Sequence, residues 1–160
     1  MAHGIFRSDS CSYTHDGALI RTAQVYGDID NGAPILCGGL ATQGTFAGER
    51  EVFETATATG AVAADVWVVT SPEHAYTTDM KPLENFYNAS GDIARISKLV
   101  KCDIFSITGE VCSGTPSSTN KYIAAGAAQW VASTASTKAF AQFLNTEVVG
   151  GKTMYVFEVL

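Results

Sequence analysis

Asn85-Phe-Tyr-Asn-Ala-Ser-Gly-Asp-Ile-Ala-Arg-Ile-Ser-Lys-Leu-Val-Lys-Cys-Asp-Ile-Phe-Ser-Ile-Thr108 decides how the chain is read. A polar turn runs from Asn88 to Asp92, and a single Arg95 sits among Ile93, Ala94 and Ile96. A β-rich run then extends from Leu99 to Ile107. Val100, Cys102 and Ile104 alternate onto one face, whereas Phe105 and Ile107 fall on the other. The apolar face thus changes near Asp103. In a strand of period two, that change means a bulge or a passage from an exposed to a doubly buried environment. A guanidinium among aliphatic residues needs a partner, and Asp92 or Asp103 is expected to supply a structural ion pair to Arg95.

Outward from this stretch the same grammar recurs. Ala18–Tyr26 is a strand candidate, closed by a turn at Gly27–Gly32 whose Asn-Gly step tolerates positive φ. Ile35–Cys37 and Glu49–Glu54 are short strands. Val62–Thr70 is the strongest strand. Val66 and Val68 face one way and Trp67 and Val69 the other, so both faces are expected to be covered. Pro82-Leu-Glu-Asn-Phe-Tyr87 suits a single helical turn. Tyr122–Val131, Thr137–Leu144 and Met154–Leu160 complete the set, with Gly150-Gly151 as a turn. Seven to nine short strands separated by Gly, Pro and Thr predict a mainly β, compact barrel or sandwich-like domain with at most one or two short helices. Residues 18–160 form that single domain. Residues 1–17 read as an extended N-terminal arm, either frayed or ordered on a neighbouring subunit.

The chain has 160 residues, enough for a real core. Charged residues make up only 16% and hydrophobic ones 46%, many of them Ala. So little charge points to a surface covered by a partner, hence an oligomer. The net charge of −6 and the absence of a Lys/Arg cluster argue against nucleic-acid binding. Ala61–Val69 is interrupted by Asp65 and is too short to span a bilayer, so no membrane partner is expected. Met1–Arg7 carries no apolar run, so no signal peptide is expected. Cys11, Cys37, Cys102 and Cys112 are therefore expected as free thiols, with Cys102–Cys112 the one pairing worth testing.

The chemical motifs are weak. Asp28–Gly32 misses the calcium-loop spacing, because Gly32 comes one place early and the twelfth position is Gly39. His3, His15 and His74 lack ligand spacing, and Cys11 with His15 finds no further ligands. Asn88-Ala-Ser90 matches a glycosylation sequon but suits an Asx turn. No G-x-S-x-G or phosphate-binding glycine pattern occurs. No catalytic, cofactor or metal residues are assigned.

Several pieces taken in order carry more. They are Asp30-Asn-Gly32, Gly48-Glu-Arg-Glu-Val-Phe53, Val69-Thr-Ser-Pro-Glu73, the block Glu84–Arg95, the run Leu99–Thr108, Lys121-Tyr122 and the closing Tyr155–Leu160. Their layout, over about Ala18 to Leu160, resembles the head decoration or auxiliary capsid proteins of tailed bacteriophages. Gly91, Arg95 and Asp103-Ile-Phe-Ser106 are the most specific part. The chain differs at Cys102, where a Gly is usual before the Asp, and in its longer arm. The resemblance implies a non-enzymatic virion protein that binds the major capsid protein on the assembled head and stabilises it against DNA pressure. It also implies a homo-oligomer, with a trimer favoured, on the capsid surface and in the host cytoplasm during assembly. A tail or head–tail component is the alternative virion role. A small β-barrel binding module or hydrolase is the alternative from another class, and would need a pocket with converging His and carboxylate groups.

Overall fold

The computed structural model describes residues 2–73 and 85–160. His74 and the Pro82–Glu84 part of the expected helical turn lie outside the described residues. The strands are β1 (Phe6–Ser10), β2 (Ile20–Gln24), β3 (Pro34–Leu40), β4 (Val52–Ala56), β5 (Val66–Val69), β6 (Ile93–Ser97), β7 (Ile104–Thr108), β8 (Cys112–Ser113), β9 (Tyr122–Ala125), β10 (Trp130–Ser133), β11 (Ala141–Val149) and β12 (Lys152–Val159). Five close into a barrel in the order β2-β4-β3-β5-β6. Seven form a sheet in the order β1-β7-β12-β11-β9-β10-β8. The chain is mainly β, and its described helical pieces are short 3-10 turns.

The organising stretch crosses from one unit to the other. β6 belongs to the barrel and β7 to the sheet. The change of apolar face near Asp103 is therefore neither a bulge nor a change of cover along one strand. It is a turn at Val100–Asp103, closed by the Asp103 N–H donating to the Val100 carbonyl at 3.0 Å. Cys102 adopts a φ of 72° there, so a side chain occupies a left-handed position that favours glycine.

Strand order fixes which face of the barrel is inside. Arg21 on β2 contacts Trp67 on β5 and Cys37 on β3. Neither strand neighbours β2 in the barrel, so these side chains meet across the lumen. Arg21 and Val69 both pair with Ile96, and Trp67 pairs with Ile35. Ala23, Ile35, Val69, Ala94 and Ile96 thus share the inner face, and all are buried. Val66 and Val68 point the other way and are buried as well. β5 is covered on both faces, as its continuous apolar run predicts.

The sheet packs rings. Phe105 lies 5.6–6.4 Å from the rings of Phe6, Trp130, Phe140 and Phe157. Trp130 is fully buried, and its indole N–H donates to the Gly32 carbonyl at 2.7 Å, tying sheet to barrel. Gly32 has a φ of 85°, and a β-carbon there would come within 3.0 Å of Ile107. One cluster of buried side chains spans both units.

The arm is part of this fold rather than an appendage. β1 pairs antiparallel with β7, and Cys11 and Tyr13 are buried in the common core. The boundary expected at Ala18 has no counterpart in the packing. The reason is that the polar Ser8–Ser12 segment places its hydrogen bonds on β7 and the turn before it.

Candidate functional site

Arg95, Asp92 and Asp103 are not brought together as an ion pair. Among the described residues the salt bridges are His3–Asp30, Arg7–Asp9 and Arg7–Glu147. Arg95 instead donates its Nε–H to the Thr70 carbonyl at 2.7 Å, and its backbone N–H to Ser71 Oγ at 3.0 Å. Asp103 is buried, and its Oδ1 accepts from Ser12 N–H at 2.9 Å and Ser12 Oγ at 2.7 Å. Its Oδ2 accepts from the Val100 N–H at 2.9 Å. Donors rather than a cation satisfy this carboxylate. Asp92 is exposed and contributes its carbonyl to the Val25 N–H. The ion-pair expectation failed because Arg95 lies on a barrel strand and Asp103 in the turn before β7, a separation that spacing along the chain does not reveal.

The other polar candidates also have structural partners. His3 Nδ1 lies 2.7 Å from Asp30 Oδ1 and its ring stacks 4.7 Å from Tyr87, while Asp30 Oδ2 accepts from the Gly4 N–H. His15 is exposed at the end of a 3-10 turn. Cys11 donates to the Ile104 carbonyl at 3.3 Å. Asn88 is buried, and its amide donates to the Ile29 carbonyl and to Asn31, so it bridges two loops instead of making a local Asx turn. All four cysteines are unbonded; Cys102 is exposed and Cys112 buried. Burial pushes the Cys11 thiol up to about 12, helped by Asp103 and Asp9, and the Cys112 thiol up to about 11.

Two surfaces stand out among the described residues. The first is the β11–β12 hairpin, turned by Gly150 and Gly151 with φ of 59° and 80°. β9 pairs only with Ala141 and Gln142 of β11, and the Phe143 N–H donates to the Lys121 carbonyl. From Leu144 to Val149, β11 has β12 on one side and, among the described residues, no strand on the other. Leu144, Val148 and Val149 are 45%, 73% and 38% exposed. A free strand edge that carries exposed apolar residues is a ready template for another chain.

The second surface is the mouth of the barrel. Arg21 lies 4.5 Å from the Phe53 ring centre and 4.8 Å from that of Trp67, and donates to Cys37 Sγ at 3.4 Å. Lys98 lies 5.5 Å from the same Trp67 ring and donates to the Ala64 and Val66 carbonyls. Burial lowers the Lys98 ammonium below its ordinary value, and Asp65 partly offsets this. A groove of about 500 Å³ opens here between Leu36, Ala56, Ala61, Ala64, Trp67 and Lys98. Composition alone does not mark this cluster. Its members come from β2, β3, β4, β5, the β4–β5 connection and the residue just after β6, and meet only when the barrel closes.

No family model, no curated protein and no solved structure matches the chain.

Proposed function

We propose that the chain is a capsid decoration protein, a non-enzymatic virion component that binds the outer surface of an assembled phage head and stabilises it. Its partner is the major capsid protein. It acts as a homo-oligomer, with a trimer favoured, needs no cofactor and touches neither the genome nor a membrane. It resides on the capsid surface, and in the host cytoplasm during assembly.

The free edge of β11, with its exposed Leu144, Val148 and Val149, is the observation that carries this reading. An edge with Leu144, Val148 and Val149 exposed suits a protein whose working state is an assembly. The ordered motifs from Asp30 to Leu160 and the low charge support the same reading. On a symmetric shell, a modest contact gains strength by repetition.

The test is light scattering on a sizing column, with and without purified phage heads lacking this protein. Binding at a fixed copy number per shell is the expected result. A stable monomer that ignores the shell would overturn the proposal.

A further inference from the structure

A groove at the junction of the two units goes beyond that reading and does not depend on it. Its first part, of about 630 Å³, takes Asp28, Ile29 and Asp30 from the β2–β3 connection. Glu110, from the 3-10 turn before β8, and Ser113 and Val131, from the sheet, complete its frame. A second part, of about 230 Å³, is lined by Val25, Tyr26, Ile35 and Thr55. The two meet at Ala127, between β9 and β10. Val131 and Tyr26, one in each part, are 44% and 48% exposed, and most of the remaining lining is Ala or Gly.

The charge of this groove is one-sided. Among the described residues neither part is lined by Lys or Arg, whereas three carboxylates line the first. Asp30 is already engaged, by His3 at Oδ1 and by the Gly4 N–H at Oδ2. That leaves Asp28 and Glu110, one from each unit. Asp28 Oδ1 accepts from the Ser90 N–H at 2.9 Å, which fixes the side chain through one oxygen. Among the described residues no basic side chain lies within 4.0 Å of either carboxylate. Nor is any group of three His, Cys, Asp or Glu side chains placed to hold a metal ion.

We infer that this groove is a docking site for an extended partner segment that presents an Arg or Lys side chain to Asp28 and Glu110 and small aliphatic side chains to the rest. Charge complementarity sets the sign of the occupant. The apolar lining sets its kind: an Arg or Lys stem packs along aliphatic surface while its charged head reaches the carboxylates. A compact inorganic cation would leave the apolar part of the groove unused. Apolar clefts with a few placed polar groups are where such ligands bind.

The probe is acetyl-Ala-Arg-Ala-Val-Ala-amide, with its citrulline counterpart as the uncharged control, titrated into the full chain. The readout is the backbone amide signals of Ser113, Gly126 and Val131 in a proton–nitrogen correlation spectrum. These should shift saturably with the Arg peptide, stay still with the citrulline peptide, and respond more weakly as salt rises. Asp28→Asn and Glu110→Gln should each weaken binding by about two- to fivefold, the range for one exposed ion pair. An amide oxygen at position 28 still accepts from Ser90, so the loop keeps its anchor. Ala127→Trp fills the point where the two parts meet and should abolish the shift with every carboxylate in place. Five results would overturn the inference: silence with the Arg peptide, an equal response to citrulline, unchanged binding in both charge variants, unchanged binding in Ala127→Trp, or the same saturating shift with magnesium ion alone.

Discussion

Inside the barrel, away from its mouth, the lumen is filled by Ala23, Ala94, Ile35, Val69 and Ile96, whereas the sheet packs Phe105 against Phe6, Trp130, Phe140 and Phe157. The difference follows from geometry. Five strands enclose a narrow bore, and inward side chains alternate along each strand, so small aliphatics fill it without strain. An open sheet has no such ceiling and can stack rings against neighbouring loops. Ala23 and Ala94 are what the narrow bore accommodates, whereas the largest buried rings, Trp130, Phe105, Phe140 and Phe157, are packed in the second unit.

The sharpest way to break the comparison is to remove the arm, whose one strand pairs with the sheet. Deleting residues 2–17 strips β1 from β7, takes Cys11 and Tyr13 from the core, and leaves Asp103 without Ser12. The expected loss is at least about 4 kcal/mol, enough to abolish cooperative unfolding of a marginally stable domain. The single change Asp103→Ala isolates the polar part. It orphans the Ser12 and Val100 N–H groups and should cost about 3 kcal/mol in a urea titration. A truncated chain that still unfolds cooperatively at its original midpoint would restore the arm as a separate tether.

Phe105→Ala and Ile96→Val then compare the two interiors directly. Loss of a ring at the centre of the sheet should cost about 3–5 kcal/mol, and loss of one methyl from the lumen about 1 kcal/mol. Equal losses per atom removed would mean that the two interiors respond alike to a cavity. Fluorescence offers a further check, since Trp130 reports the sheet and Trp67 the barrel mouth. A single buried cluster joins the units, so both probes should report one transition.

Much of this architecture was legible in the sequence, and the illegible part has a consistent cause. Period-two alternation exposed β5 and β12, and Gly150-Gly151 announced the hairpin. β6 is not evident because the polar turn Asn88–Asp92 runs straight into it and Arg95 interrupts its apolar pattern, although Ala94, Ile96 and Ser97 are buried there. β1 was missed because its exposed residues Arg7, Asp9 and Ser10 look like a loop. The expected Arg95 pair and the unseen Arg21–Trp67–Lys98 group have one cause: both depend on tertiary placement, Arg95 in the barrel against Asp103 in the turn before β7, and Arg21 against Trp67 across the lumen. Local patterns do not carry that information.

Alkaline pH separates the units by sign. The Cys11 and Cys112 thiols, both in or beside the sheet, keep their protons to about 12 and about 11, against 9.0 for a free thiol. Below pH 9 both folded and unfolded chains hold these protons, so nothing changes. Above it the unfolded chain releases protons that the folded chain retains, and stability falls. Between pH 8 and 10 the two thiols together should remove about 2 kcal/mol. Lys98 at the barrel mouth acts oppositely. Its folded value is lowered, so the folded state sheds its proton first and stability rises as pH approaches the ordinary lysine value of 10.5. Urea midpoints at the two pH values should fall in the parent and fall about half as far in Cys112→Ala. An unchanged pH dependence in that variant would remove the thiol as the cause.

The smallest expected effect lies at the seam between the units. Cys102 holds a left-handed backbone conformation in the turn that hands the chain from β6 to β7, where a side chain costs about 1–2 kcal/mol. Glycine removes that cost but adds freedom to the unfolded chain, worth about 0.5–1 kcal/mol in the other direction. Cys102 is exposed, so no packing is lost on substitution. The balance predicts that Cys102→Gly stabilises the protein by up to about 1 kcal/mol, visible as a small rise in the urea midpoint. Cys102→Ala keeps the β-carbon and should leave the midpoint within about 0.5 kcal/mol of the parent. The same gain in both variants would trace the effect to the thiol instead of the backbone. A loss in the glycine variant alone would show that the seam depends on a stiff unfolded chain more than on a relaxed turn. In either case, joining a closed barrel to an open sheet through one tight turn makes a single φ angle worth measuring.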